Sequence, residues 1–173
     1  NAVKIQIGVN SSQQNNGTLV FLNGTSLTAS GLTMRSNTVL TLTGSGDSLS
    51  LSGDASMSGN STIGGDGILT LQDGSSLTMT GGSNSLGHVV VAAGASGSSL
   101  TVAGTSNSIA DLSVKGTANI TLGEGTGAGN LSIKDLSVSS EGCLALSGKG
   151  SISVTHASLD AAISSTGITL NIN

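Results

Sequence analysis

The chain has 173 residues, a formal net charge of −4 and only 8% charged residues, where an ordinary domain carries roughly 25%. Its five Lys and Arg are dispersed and Phe21 is the single aromatic, so it lacks the basic stripe and stacking rings of a nucleic-acid binder. No run approaches the roughly 18 apolar residues of a membrane-spanning helix.

Residues 1–16 differ from the rest of the chain. Val3, Ile5, Ile7 and Val9 alternate with Lys4, Gln6 and Gly8, which predicts a strand with one apolar face. The polar run 10–16 reads as a loop or tether. The strand caps the N-terminal end of the next domain or pairs elsewhere. A chain opening on Asn1 without a signal-peptide pattern points to a product processed from a precursor.

From Gly17 to Asn173 the sequence has one grammar. Thr18-Leu19-Val20-Phe21-Leu22 runs into the turn dipeptide Asn23-Gly24. Leu32-Thr-Met34 and Leu40-Thr-Leu42 come next. They match Leu112-Ser-Val114 and Ile120-Thr-Leu122 at an offset of 80. Leu49, Leu51 and Met57 continue the pattern. Leu86, Val89 and Val91 lie 23 residues after Ile63, Asp66 and Ile68, and Leu100 and Val102 lie 23 after Leu77 and Met79.

The clearest repeat spans residues 109–146. Ile109-Ala-Asp111-Leu112-Ser-Val114 is followed by Ile133-Lys-Asp135-Leu136-Ser-Val138, and Leu122 by Leu146, each 24 residues on. Ile168 and Leu170 repeat Leu144 and Leu146 at the same step. A fixed period of this size marks a solenoid in which each repeat covers the apolar face of its neighbour. The apolar–polar–apolar spacing is that of strands. The expected fold is all-β: a single-stranded, right-handed parallel β-helix of about seven coils of 20–24 residues, a rod about 35 Å tall at strand spacing. Its core must be a thin stack of aliphatic side chains. Lone Cys143 falls in an apolar slot and is expected to be buried.

Candidate chemistry is sparse. The Asp residues at Gly-Asp turns lack the nine-residue period of a calcium-binding β-roll. Residues 123–129 are Gly-rich but carry no Lys-Ser/Thr ending, so they form a loop rather than a phosphate cradle. Asp111 and Asp135 occupy equivalent slots, with His88 one step before and His156 one step after, so the four define a candidate column on one face. Thr-x-Thr pairs at 41–43 and 78–80 resemble water-ordering ladders of ice-binding proteins, but in the sequence they do not recur coil by coil. Asn-x-Ser/Thr sequons stand at Asn10, Asn16, Asn23, Asn60, Asn119 and Asn130.

Segments such as Thr38-Val-Leu-Thr-Leu-Thr-Gly44 and Gly67-Ile-Leu-Thr-Leu-Gln-Asp-Gly74 resemble the passenger domains of bacterial autotransporters and large secreted adhesins. That resemblance implies a secreted, surface-displayed β-helix used for adhesion or as a stalk. The expected function is a non-enzymatic extracellular structural subunit of a fibre or adhesin, needing no cofactor or metal. Its partners would be copies of itself joined head to tail, or a host or matrix surface. The docking strands would present Val3, Ile5, Ile7 and Val9 at one end and Ile168, Leu170 and Ile172 at the other. A carbohydrate-binding or polysaccharide-active β-helix and an ice-binding solenoid are the alternatives.

Overall fold

A computed structural model describes residues 3–8, 17–94, 96–123 and 127–173. Val9, the run 10–16 and residues 124–126 of the Gly-rich loop lie outside the described residues, as do the sequons at Asn10 and Asn16. Among the described residues there are fourteen strands and no helix. They are β1 (Lys4–Ile7), β2 (Thr18–Phe21), β3 (Ser26–Met34), β4 (Val39–Leu42), β5 (Ser48–Ser58), β6 (Thr62–Leu71) and β7 (Ser76–Thr80). β8 (Ser85–Val91), β9 (Ser98–Val102), β10 (Asn107–Val114), β11 (Thr117–Leu122), β12 (Gly129–Val138), β13 (Cys143–Leu159) and β14 (Ile163–Ile172) complete them.

Every pairing is parallel, and the pairings fall into three ladders. The first joins residues 4–7, 31–34, 54–58, 76–80, 98–102, 117–122, 143–148 and 163–166. The second joins 18–21, 39–42, 62–65, 85–86, 107–109, 129–133, 150–154 and 168–172. The third joins 26–29, 48–51, 68–71, 88–91, 111–114, 135–138 and 156–159. The described residues therefore make up seven coils and two segments of an eighth. It is a parallel β-solenoid, and Lys4–Ile7 is its first rung.

Alternation along each segment sends every second side chain inward, where it meets the same position of the coils above and below. Leu32, Ala55, Leu77, Leu100, Ile120 and Leu146 form one inward column, and all are buried. Leu40, Ile63, Leu86, Ile109, Ile133 and Val154 form a second. Burying each Leu or Ile contributes roughly 1.5–3 kcal/mol. Met34, Met57 and Met79 occupy successive rungs, where a flexible thioether fills the space an aromatic would take in a thicker core.

The corners carry the polar chemistry. Asp47 is buried, with Oδ2 accepting from the Gly44 N–H at 2.8 Å and the Thr43 hydroxyl at 3.2 Å, while Oδ1 accepts from the Thr25 N–H at 2.8 Å. Thr38, Ser61, Asn84 and Asn107 form a buried polar column. Oγ1 of Thr38 bonds Oγ of Ser61, Asn84 Oδ1 accepts from the Ser61 N–H, and Asn107 Oδ1 accepts from the Asn84 N–H, each at 3.2 Å. At the next rung Leu131 takes that place. Gly148 sits at φ +108, where a Cβ would collide with the Leu122 carbonyl oxygen, so only glycine fits that corner.

The fold class matches the sequence reading, and several assignments of register do not. Leu122 pairs with Gly148 rather than Leu146, whose true partner is Ile120. Leu32 lies in the ladder of Ile120, and Leu40 in that of Ile109, so the offset of 80 links different ladders. Val89 and Val91 pair with Leu69 and Leu71, because residues 64–67 bridge a corner that Gly87 alone bridges in the next coil. Ile168 and Leu170 stack on Gly150 and Ile152, not on Leu144 and Leu146. Cys143 begins its strand on the outward side and is exposed.

Two outcomes test this architecture. Leu77→Ala, in the middle of the stack, costs about 2–5 kcal/mol, read as a lowered urea midpoint. The Asp47 carboxyl is held below the usual carboxylate range, first by the Gly44 N–H; burial opposes this, and the Thr25 N–H and Thr43 hydroxyl reinforce it. A depressed folded-state value contributes stability that is present above the unfolded value of about 3.9 and lost as pH falls through the folded one. Asp47→Asn therefore lowers stability at neutral pH and flattens the acid limb of the stability–pH curve, measured by thermal melts from pH 7 to pH 2.

Candidate functional site

Two surfaces of the solenoid carry side chains that its own packing does not require. On the outward side of the third ladder, register places His88 beside Asp111, Asp111 beside Asp135, and Asp135 beside His156. The column read from the sequence is thus assembled. Its members lie on the solvent side because Leu86, Val89, Leu112 and Leu136 take the inward positions around them.

Nδ1 of His88 contacts Oδ2 of Asp111, and Nδ1 of His156 lies 3.0 Å from Oδ1 of Asp135. The Lys134 ammonium reaches Oδ2 of Asp135 at 3.2 Å. His156 and Lys134 are each 69% exposed, while Asp111 and Asp135 are only 37% and 40% exposed beneath them. A shallow open groove runs over Asp111, Ser113, Asp135, Ser137, His156 and Ser158. Asp135 is held below its ordinary range, first by the hydrogen bond from Lys134, opposed by partial desolvation and supported by Asp111 and His156.

This geometry makes two Asp–imidazole pairs back to back, each carboxylate orienting one ring. Among the described residues no three His, Cys, Asp or Glu side chains converge as a metal set. The column is a solvated Asp–His strip along the rod, with Lys134 and Asp135 as its ion pair.

The second surface is the outward side of the first ladder. Thr33, Ser56, Thr78, Thr101, Thr121, Ser147 and Thr166 occupy one continuous register position. Ser76, Ser99, Asn119, Ala145 and Ser164 flank them two residues earlier. The sequence reading missed this array. Its signal was the apolar–hydroxyl–apolar triplet on five successive strands of one ladder, from Leu32-Thr-Met34 through Leu77-Thr-Met79 and Leu100-Thr-Val102 to Ile120-Thr-Leu122.

The residues read as docking positions lie in the terminal coils. Ile5 and Ile7 stack inward on Leu32 and Met34; Ile7 is buried, Ile5 is half-buried and Val3 is exposed. At the other end Ile168, Leu170 and Ile172 stack on Gly150, Ile152 and Val154, the first two half-buried and the third exposed.

No protein-family model, curated protein or solved structure matches the chain. The class that the geometry defines is the parallel β-solenoid.

Lys134→Gln removes the nearest cation from the column, so the Asp135 carboxyl moves up toward the ordinary range. A carbon-detected NMR titration of the side-chain carboxyl reads this, with Lys115→Gln, distant from the pair, leaving it in place.

Proposed function

We propose that this chain is a non-enzymatic structural protein of the cell exterior, a β-solenoid subunit of a surface fibre or adhesin that assembles head to tail through its terminal strands. The observation that carries the reading is the state of the ladder edges. Among the described residues, β1 pairs only with β3 and β2 only with β4, while β14 pairs only with β13. Backbone donors and acceptors along these edges face away from the stack, and such rows are templates for added strands.

The side chains around the edges agree with that role. Val20, Leu22, Leu159 and Ile172 are exposed at the two ends, next to half-buried Ile5, Leu19, Leu27, Ile163 and Leu170. An upper edge meeting a lower edge is a heterologous contact, and one that does not close on itself generates a filament. The faces between the ends are rich in Ser, Thr and Asn and poor in charge, a composition suited to a surface-exposed rod.

Negative-stain electron microscopy at rising protein concentration tests the assembly. Filaments with the width of one solenoid are expected, and Leu170→Pro, which removes an edge donor, shortens them to single rods. Monodisperse single rods of the folded, unsubstituted chain at high concentration would overturn head-to-tail assembly.

A further inference from the structure

We propose that the outward side of the first ladder is an ice-binding surface, a function separate from assembly at the ends. The argument starts from register. The hydroxyl column from Thr33 to Thr166 has a Thr or Ser at every rung, although its members are spaced unevenly in sequence. Within this column no bulge interrupts the pairing, since the register shifts of β3–β5 and β13–β14 fall at corners. With the flanking column the array is two positions wide.

Parallel-strand geometry sets its two repeats: about 4.8 Å from rung to rung and about 6.6 Å between alternate residues of one strand. The rung spacing is close to the shorter oxygen repeat of hexagonal ice, while the spacing along the strand falls short of the longer one. A regular array on that mesh can order water along the rod axis at nearly the spacing the crystal requires. Thr is well suited to the task, because a β-branched side chain is stiff at χ1 and its hydroxyl is placed before the ligand arrives.

An independent observation concerns what these hydroxyls bond. Among the described residues, the only side-chain hydrogen bond within the Thr column joins Thr121 and Ser147, at 3.2 Å. Among those same residues, Thr33, Ser56, Thr78, Thr101 and Thr166 have no protein partner for their hydroxyls. In the flanking column Ser76 donates to Asp54 Oδ1 at 2.6 Å, and on the other ladders Ser26 pairs with Ser48 at 2.8 Å and Ser85 with Ser108 at 3.2 Å. Five of the seven hydroxyls of the Thr column are left to water.

Charge separates the faces in the same way. From Ser76 to Thr166 the paired outward positions of the first ladder hold no Asp, Glu, Lys, Arg or His; Lys4 and Asp54 lie at its far end. The third ladder carries the His–Asp strip. A strongly hydrated ion would impose its own shell on the adjoining water, and the first ladder avoids one over five rungs. The face also has no aromatic ring to stack on a sugar, which favours ice over a glycan as its occupant.

The test is thermal hysteresis by nanolitre osmometry together with partitioning of fluorescently labelled protein into a growing ice hemisphere. The unsubstituted protein is expected to show hysteresis that rises with concentration and to enter the ice. Thr101→Lys, in the centre of the array, is expected to abolish both, while Ser137→Lys on the third ladder leaves both intact; circular dichroism verifies that each variant is folded. Absence of hysteresis and of partitioning for the folded protein would overturn the proposal. So would equal loss in the two variants, or retention by crystalline chitin or cellulose without any effect on ice. None of these outcomes depends on whether filaments form.

Discussion

Coil-on-coil hydrogen bonding is the interaction on which everything else in this molecule rests. A strand here has no partner within its own turn of the chain; its N–H and C=O groups are satisfied by the turn above and the turn below. An isolated coil would expose both edges, so stability is a property of neighbours rather than of segments. Stacking at a fixed spacing also places each side chain over its counterpart. The inward positions are then forced to be aliphatic in long runs, while the outward positions and corners are left open to other demands.

The corners show how those demands are met without breaking the ladders. A corner must reverse the chain while leaving no buried polar group unpaired, because an orphaned group loses its hydration with nothing in return. Asp47 solves this by accepting three bonds at one corner, two from its own turn and one from the coil before. Asn84 and its neighbours solve it by passing bonds from coil to coil. At Leu131 the polar column stops and the corner becomes apolar, and Asn107, the last member, keeps its Nδ2 buried without a protein partner. The two halves of the rod thus share a cross-section and differ in how they close it.

Legibility in the sequence has the same geometric origin. Ile109 on Ile133 and Asp111 on Asp135 were legible because the chain between them takes the same number of residues as its internal repeat suggests. The fold class was legible too, since period-two alternation recurs along the whole chain. Register failed wherever corners differ in length: four residues at 64–67 against Gly87 alone, or the loop that separates Leu122 from β12. Spacing in sequence measures path length around the coil, whereas pairing measures height along the rod. The two agree only when every corner is equal. The hydroxyl array was hidden for this reason, its steps being 20, 26 and 19 residues from Thr101 to Thr121, Ser147 and Thr166. Cys143 was misplaced against the alternation itself: Leu144 and Leu146 point inward, so their neighbour Cys143 points outward.

A solenoid also separates its surfaces from one another to a degree that a globule cannot. Outward residues of one ladder touch only their own column and the columns beside it. The charged strip of His88, Asp111, Asp135 and His156 and the uncharged hydroxyl array share the same inward scaffold, with no side chain in common. A substitution on one face has no route to the other except through the aliphatic core, which tolerates little change in volume. Distinct surface chemistries can therefore be carried on one rod at the expense of neither, provided that the inward columns stay intact. That independence explains how a chain so uniform in its core composition presents an Asp–His strip on one ladder and neutral, water-facing hydroxyls on another.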